Sequence, residues 1–184
     1  MKRIHLTFFL LSIINYGFSQ FPREMTESDL AKFKQEIQIE SIKLRENLLN
    51  KDYLSDFEKQ ISVNFQVDTF KIERLLSKRI SIDYSTTGMV TATFDSEKEY
   101  DKLLNKYYQI LLKKLNESDK EILKKSEKNW LQFRESERKL NLEIAKEQYS
   151  GGGTIQSVII ASGYVELTKK RLLEIYIYLS RFNK

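Results

Sequence analysis

Only one proline and six glycines punctuate the 184 residues, and three of those glycines stand together at 151–153. A chain with so few breakers has little means of making the frequent turns of a β fold. With 31% charged, 41% apolar and 12% aromatic residues it is suited instead to long, solvated helices around one core. There is no cysteine, so disulfides are excluded, and the single histidine is His5.

The first nineteen residues stand apart from this pattern. Lys2 and Arg3 form a positive start, Leu6 to Ile14 is an apolar run, and Gly17 and Ser19 place small residues at minus three and minus one of a cleavage site. Residues 1–19 are thus expected to be a cleaved signal peptide. The rival, an uncleaved N-terminal anchor, is disfavoured because the run falls short of the ~20 apolar residues of a spanning helix. The expected product is exported, periplasmic or secreted, with no stable membrane anchor. Cleavage leaves 29 basic against 26 acidic residues and removes His5. The mature chain then lacks both His and Cys, which closes most hydrolase mechanisms and removes the commonest zinc ligands. No cofactor or metal is implied, and no spacing identifies the facing carboxylate pair that glycoside hydrolysis needs.

Helical spacing runs through the rest. Leu30, Phe33, Ile37, Leu44 and Leu48 mark a first helix capped by Thr26 or Ser28. Phe57, Ile61 and Phe65, then Ile72, Leu75, Leu76 and Ile80, continue to about Tyr84. The β-branched and aromatic stretch Ile61 to Phe70 also admits a short extended piece, with Asp68 capping a fresh helix. Turn chemistry at Ser85 to Gly88 precedes the stripe Tyr100, Leu103, Leu104, Tyr107, Leu111 and Leu115, which ends near Asn116. Ser118 and Glu121 have capping-box spacing. The following helix takes Leu123, Trp130, Phe133, Leu140 and Ile144 as its inward stripe and ends at the glycines. Ile155, Val158, Ile159, Val165, Leu172, Ile175 and Leu179 define the last helix, with Arg181 and Lys184 at its end. Short connections make neighbours antiparallel. The expected fold is all-α, an up-down antiparallel bundle of long helices, with residues 20–88 an N-terminal helical extension of the domain at 89–184.

Four motifs recur in order in the C-terminal half: Asp101, Leu104, Asn105 and Tyr108 as D-x-x-L-N-x-x-Y; Trp130, Phe133 and Arg134 in W-L-Q-F-R-E; G-G-G-T-I at Gly151 to Ile155; and Leu167, Thr168, Arg171 and Leu172 as L-T-x-x-R-L. In this order and spacing the chain resembles the LprI-like lysozyme-inhibitor family of exported bacterial proteins, over roughly Met89 to Leu179. The resemblance implies a non-enzymatic protein that binds a protein partner, lysozyme for some members. Members usually carry cysteines at two positions that look like Arg138 and Gly163 here, so the bundle must hold without that disulfide.

Trp130 reads as a core anchor and Arg134 as a partner of Asp101 or Glu135. Asn105, amid Leu104 and the structural motif residue Tyr108, reads with Thr168 and Arg171 as an interhelical polar network. The segment with Tyr149, Gly151, Gly152, Gly153, Thr154 and Gln156 is either a plain helix connection or a contact edge whose uncovered backbone admits a partner. It is no phosphate loop, because no G-K-[ST] follows the glycines. Lys113, Lys114, Lys124, Lys125, Lys169 and Lys170 each have acidic neighbours and read as a solvated face, so no nucleic-acid partner is implied. Two function classes follow: an exported inhibitor that occludes a lysozyme cleft, and an envelope structural or assembly factor that grips another protein through its helices. Intact-mass analysis of the protein recovered from the periplasm should show loss of residues 1–19; a full-length mass would reject the cleavage site.

Overall fold

The computed structural model describes residues 21–182, so the leader and Lys184 lie outside the described residues. Five long helices and one short turn of helix follow in order: α1 Glu27–Leu49, α2 Asp56–Ile82, α3 Thr86–Lys114, α4 Glu117–Ile144, α5 Glu147–Ser150 and α6 Ile155–Leu179. The described residues contain no strand. Ion pairs fix the directions. Glu40 meets Arg74 and Glu36 meets Lys78, so α1 and α2 are antiparallel. Arg79 meets Asp95 while Lys106 meets Asp68, so α2 and α3 are antiparallel as well. The same pairing of early with late residues makes α4 antiparallel to both α3 and α6. This is the all-α up-down bundle expected from the periodicity.

The helix ends obey local chemistry. Thr26 caps α1 by a reciprocal box with Asp29, and Ser55 accepts from the Glu58 amide at the start of α2. Ser85 caps α3 through the Gly88 amide at 3.0 Å. Gly88 therefore lies inside the first turn of α3, where the Asp83 carboxylate sits so close that a Cβ would collide with it. The expected Ser118–Glu121 box does not form. Asn116 is the N-cap of α4, accepting from the Asp119 amide at 2.9 Å and donating to the Asp119 carboxylate at 2.7 Å. The alternative of an extended piece at 61–70 is also overturned, since α2 is continuous there. Asp68 sits in its middle, paired with Lys106 and accepting from Tyr107.

The core lies where α3 and α6 meet, the most extensive pairing in the molecule. Leu103, Leu104, Tyr107 and Leu111 of α3 pack against Val165, Leu172, Ile175 and Leu179 of α6. At the other end small residues, Ala92, Thr93 and Ser96 on one helix and Ala161 on the other, are buried. From α2, Ile61 and the partly buried Phe57, Phe65 and Ile72 close one side, with Phe65 stacked 4.0 Å from the Tyr176 ring. α1 lies outside α2, joined through Leu44, Leu48, Tyr53, Val63 and Val67.

The face of α4 differs from the expected stripe. Leu123 is its only buried residue, whereas Phe133, Leu140 and Ile144 are about half exposed. The side turned to the bundle carries Leu123, Glu127, Trp130, Arg134, Arg138, Asn141 and Ala145, a series of three- and four-residue steps that is mostly polar. Phe133, Leu140 and Ile144 fall about a quarter-turn away from it at 3.6 residues per turn. Ile155 and Ile159, expected to face inward on α6, are also exposed.

Tyr100 and Tyr107 are buried, their hydroxyls donating to Glu73 at 2.5 Å and to Asp68 at 3.3 Å. Burial first, and the adjacent carboxylates second, push both phenols well above the ordinary value of about 10. Because the folded pKa lies above the unfolded one, this stability is intact below about pH 10 and falls as the pH climbs beyond it. The tyrosinate absorbance of the native protein at about pH 11 should therefore fall short of the value in denaturant by at least two phenols. Substituting both residues by Phe should reduce that shortfall by two phenols; an undiminished shortfall would show that these are not the protected groups.

Candidate functional site

Two places draw together the residues singled out by sequence, and they are separate. The first is the turn between α4 and α6. α5 ends with Gly151 in the left-handed region at φ 75°, and Gly152 and Gly153 follow at 71° and 88°. Three such residues in a row require glycine, because a Cβ is strained at each. The Gly151 amide donates to the Glu147 carbonyl and the Gly152 amide to the Ser150 hydroxyl, so two of the amides expected to be uncovered are used within the turn. Those of Gly153 and Thr154 have no acceptor among the described residues. Tyr149 is 67% exposed, Thr154 makes no side-chain cap, and Gln156 is half-buried.

The second place is a groove of about 400 Å³ between α3 and α4. Asp101, Asn105 and Tyr108 line it from α3; Lys124, Glu127, Lys128, Trp130 and Arg134 line it from α4. Two of the four motifs thus converge on one wall-to-wall feature, and a third stands behind it. Arg134 pairs with Asp101 at 2.5 Å and lies over the Trp130 ring at 4.8 Å, combining an ion pair with a cation–π contact. Trp130 is partly buried against the core, as an anchor should be.

Behind the groove Arg171, whose side chain is 5% exposed, holds Glu127 at 2.9 Å and Glu174 at 2.9 Å, and also donates to the Ser126 hydroxyl. Burial works against its charge, but the two carboxylates outweigh it and hold the guanidinium more firmly protonated. Thr168 is fully buried and reaches Glu97 and the Tyr164 carbonyl. The expected Arg134–Asp101 pair is present, and Thr168 and Arg171 each bond across to neighbouring helices, as the expected network has them. It does not include Asn105 or Tyr108. Asn105 is exposed, and neither side chain has a hydrogen-bond partner among the described residues, because both line an open groove rather than a closed seam.

Glu127, Glu97 and Tyr164 were not legible as participants. Their signal is the inward polar series on α4 and the basic residues it must meet, which apolar periodicity cannot register. Arg138, at a position resembling a family cysteine, pairs with Glu97 and stacks over Tyr164 at 4.8 Å, while the Tyr164 hydroxyl donates to the Arg138 carbonyl at 3.2 Å. Gly163 lies beside Asn141 on the same interface. An α4–α6 contact thus occupies the region where the resemblance implies a cross-link.

A cysteine-free helical bundle with a polar interhelical groove and a glycine turn at one end is a scaffold for binding. The chain belongs to the lysozyme-inhibitor family: the family model described as "Lysozyme inhibitor LprI" matches residues 81–175. No curated protein and no solved structure matches the chain. The matched span contains all four motifs and begins within the C-terminal turn of α2. Membership implies a protein-binding role. No described helix is long and apolar enough to cross a membrane.

Arg171→Met should strand Glu127 in a partly buried site and lower stability by about 3–5 kcal/mol in urea unfolding. Glu127→Gln in that background should recover part of the loss. Asp101→Asn, at a half-exposed pair, should cost about 1 kcal/mol or less. Equal losses for Arg171→Met and Asp101→Asn would contradict the difference in burial.

Proposed function

We propose that the protein is an exported, non-enzymatic inhibitor of a lysozyme, and that the turn at Tyr149 to Gln156 is the edge that meets the enzyme's substrate cleft. The carrying observation is the exposed apolar surface that flanks this turn: Leu140, Ile144 and Tyr149 before it, and Ile155 and Ile159 after it, are each at least half exposed. Exposed apolar groups on both sides of a turn offer another protein a contact edge. Between them the three glycines present no side chain, so the backbone can approach closely where bulkier residues would clash. A tip of this kind blocks a cleft by filling it.

Charge supplies little of the recognition. The expected mature excess of three basic residues gives no long-range attraction to a basic lysozyme, so affinity must come from local contact and be only weakly salt-dependent. The test is inhibition of several lysozyme types by the wild type, Gly152→Trp and Tyr149→Ala, with melting temperatures confirming that each variant folds. The wild type should inhibit at least one type at micromolar concentration, and both variants should lose about tenfold or more in potency, the loss of one well-packed contact. No inhibition of any type, or equal potency in folded variants, would reject the turn as the blocking edge and favour a structural role for the helices.

A further inference from the structure

We propose that the groove between α3 and α4 is a binding site for a carboxylate-bearing, N-acetylated sugar. The proposal rests on which polar groups in the groove are already used and which are not. Asp101 is taken by Arg134, Glu127 by Arg171, and Lys124 by Glu121. Four groups lining the same groove have no hydrogen-bond partner among the described residues: the Asn105 amide, the Tyr108 hydroxyl, the Lys128 ammonium and the Trp130 indole N–H. None of the four is buried, so water satisfies them in the free protein and a ligand entering the groove would take over those hydrogen bonds.

Their chemistry specifies a ligand. Lys128 is the one charge of the lining that is left over, so the complementary ligand carries one negative charge. An ammonium favours a carboxylate through a charge-assisted hydrogen bond. The amide of Asn105 offers both donors and an acceptor, the pattern that matches an N-acetyl group, and the Tyr108 hydroxyl can donate or accept toward sugar hydroxyls. Arg134 lies over the Trp130 ring, which leaves the indole N–H as that residue's polar offer, while the Tyr108 ring provides apolar surface beside it. A volume of about 400 Å³ falls at the small end of ligand clefts and suits one or two sugar rings, not a folded protein segment. Behind the groove, the Arg171 pairs hold Glu127 and thereby the α4 wall in place without ligand.

The site carries its own reporter, because Trp130 is the only tryptophan in the chain. Full-length mature protein titrated with N-acetylmuramic acid should show a saturable change in tryptophan emission in the roughly millimolar range or tighter. N-acetylglucosamine, which lacks the carboxylate, should bind about tenfold more weakly, and lactate, which lacks the sugar, should give no saturable change. Lys128→Gln should erase the preference for the acid, and Asn105→Ala should weaken both sugars; both sites are exposed, and unchanged melting temperatures would confirm intact folds. Absence of a saturable response to N-acetylmuramic acid would overturn the proposal. So would equal responses to the two sugars, or a response that survives both substitutions. Neither lysozyme inhibition nor the glycine turn enters this experiment, so its outcome is independent of the inhibitor reading.

Discussion

The fastening of α4 by charge rather than by apolar burial is the constraint from which the rest of the molecule follows. α3 and α6 meet through leucine, isoleucine, valine and tyrosine, and would pair in any comparable bundle. α4 contributes one buried apolar residue, Leu123, and otherwise reaches its neighbours through Arg134 to Asp101, Arg138 to Glu97, and Glu127 to Arg171. Such a seam is sensitive to geometry, because removing one member of a buried pair leaves an uncompensated charge. It fixes the rotation of α4 about its own axis more tightly than a uniform apolar stripe would. That specificity explains why an isolated aromatic, Trp130, sits among the charges: its ring is the flat surface on which Arg134 stacks.

Once α4 presents its polar side to the bundle, its remaining apolar residues must face elsewhere. Phe133, Leu140 and Ile144 come to one flank and Leu131 and Leu142 to the other, all at least 44% exposed. α6 repeats the theme on its outer side with Ile155, Ile159 and Leu173. Leaving this much hydrocarbon in water brings no stability to the free protein, and it makes sense for a member of a family defined by binding another protein. The Arg138–Tyr164 contact shows how the same interface dispenses with a covalent link. The guanidinium lies against the ring, and Glu97 joins it to Thr168 of α6, so α3, α4 and α6 are tied at one level by a cluster of side chains.

What the sequence disclosed and what it hid divide along the same line. Helices held by apolar burial were legible. The stripe Tyr100, Leu103, Leu104, Tyr107 and Leu111 is the buried face of α3, and Leu172, Ile175 and Leu179 are that of α6. The helix held by ion pairs was legible as a helix but only partly in its inward face: Leu123 and Trp130 do turn to the bundle, yet periodicity also weighs Phe133 and Leu140 as inward and has no means of ranking Glu127 or Arg138. Caps showed a similar limit: Ser118 with Glu121 has the favoured residue types, yet Asn116 with Asp119 forms the cap, directly after Leu115, where α3 ends against the core. Of the motif residues, Arg134 was matched to Asp101 or Glu135, and Thr168 and Arg171 to partners across the helices, by residue type alone. Asn105 and Tyr108 were not, because whether a polar residue faces a neighbour or an open groove depends on how far apart two helices stand.

That distance also explains why two surfaces coexist without sharing residues. α4 meets α3 mainly through charged side chains, which leaves a groove between the two helices, and α4 leads on to the glycine turn at its far end. The groove's paired groups, Asp101 and Glu127, are held by Arg134 and Arg171, and its other polar groups stand open beside them. The turn is set by backbone, through three left-handed residues and the hydrogen bonds of Gly151 and Gly152. A change that loosens one need not disturb the other, since distant sites without common partners respond almost additively. Substitutions in the turn and in the lining of the groove can therefore be tolerated separately, within a bundle whose one shared requirement is the charged seam of α4.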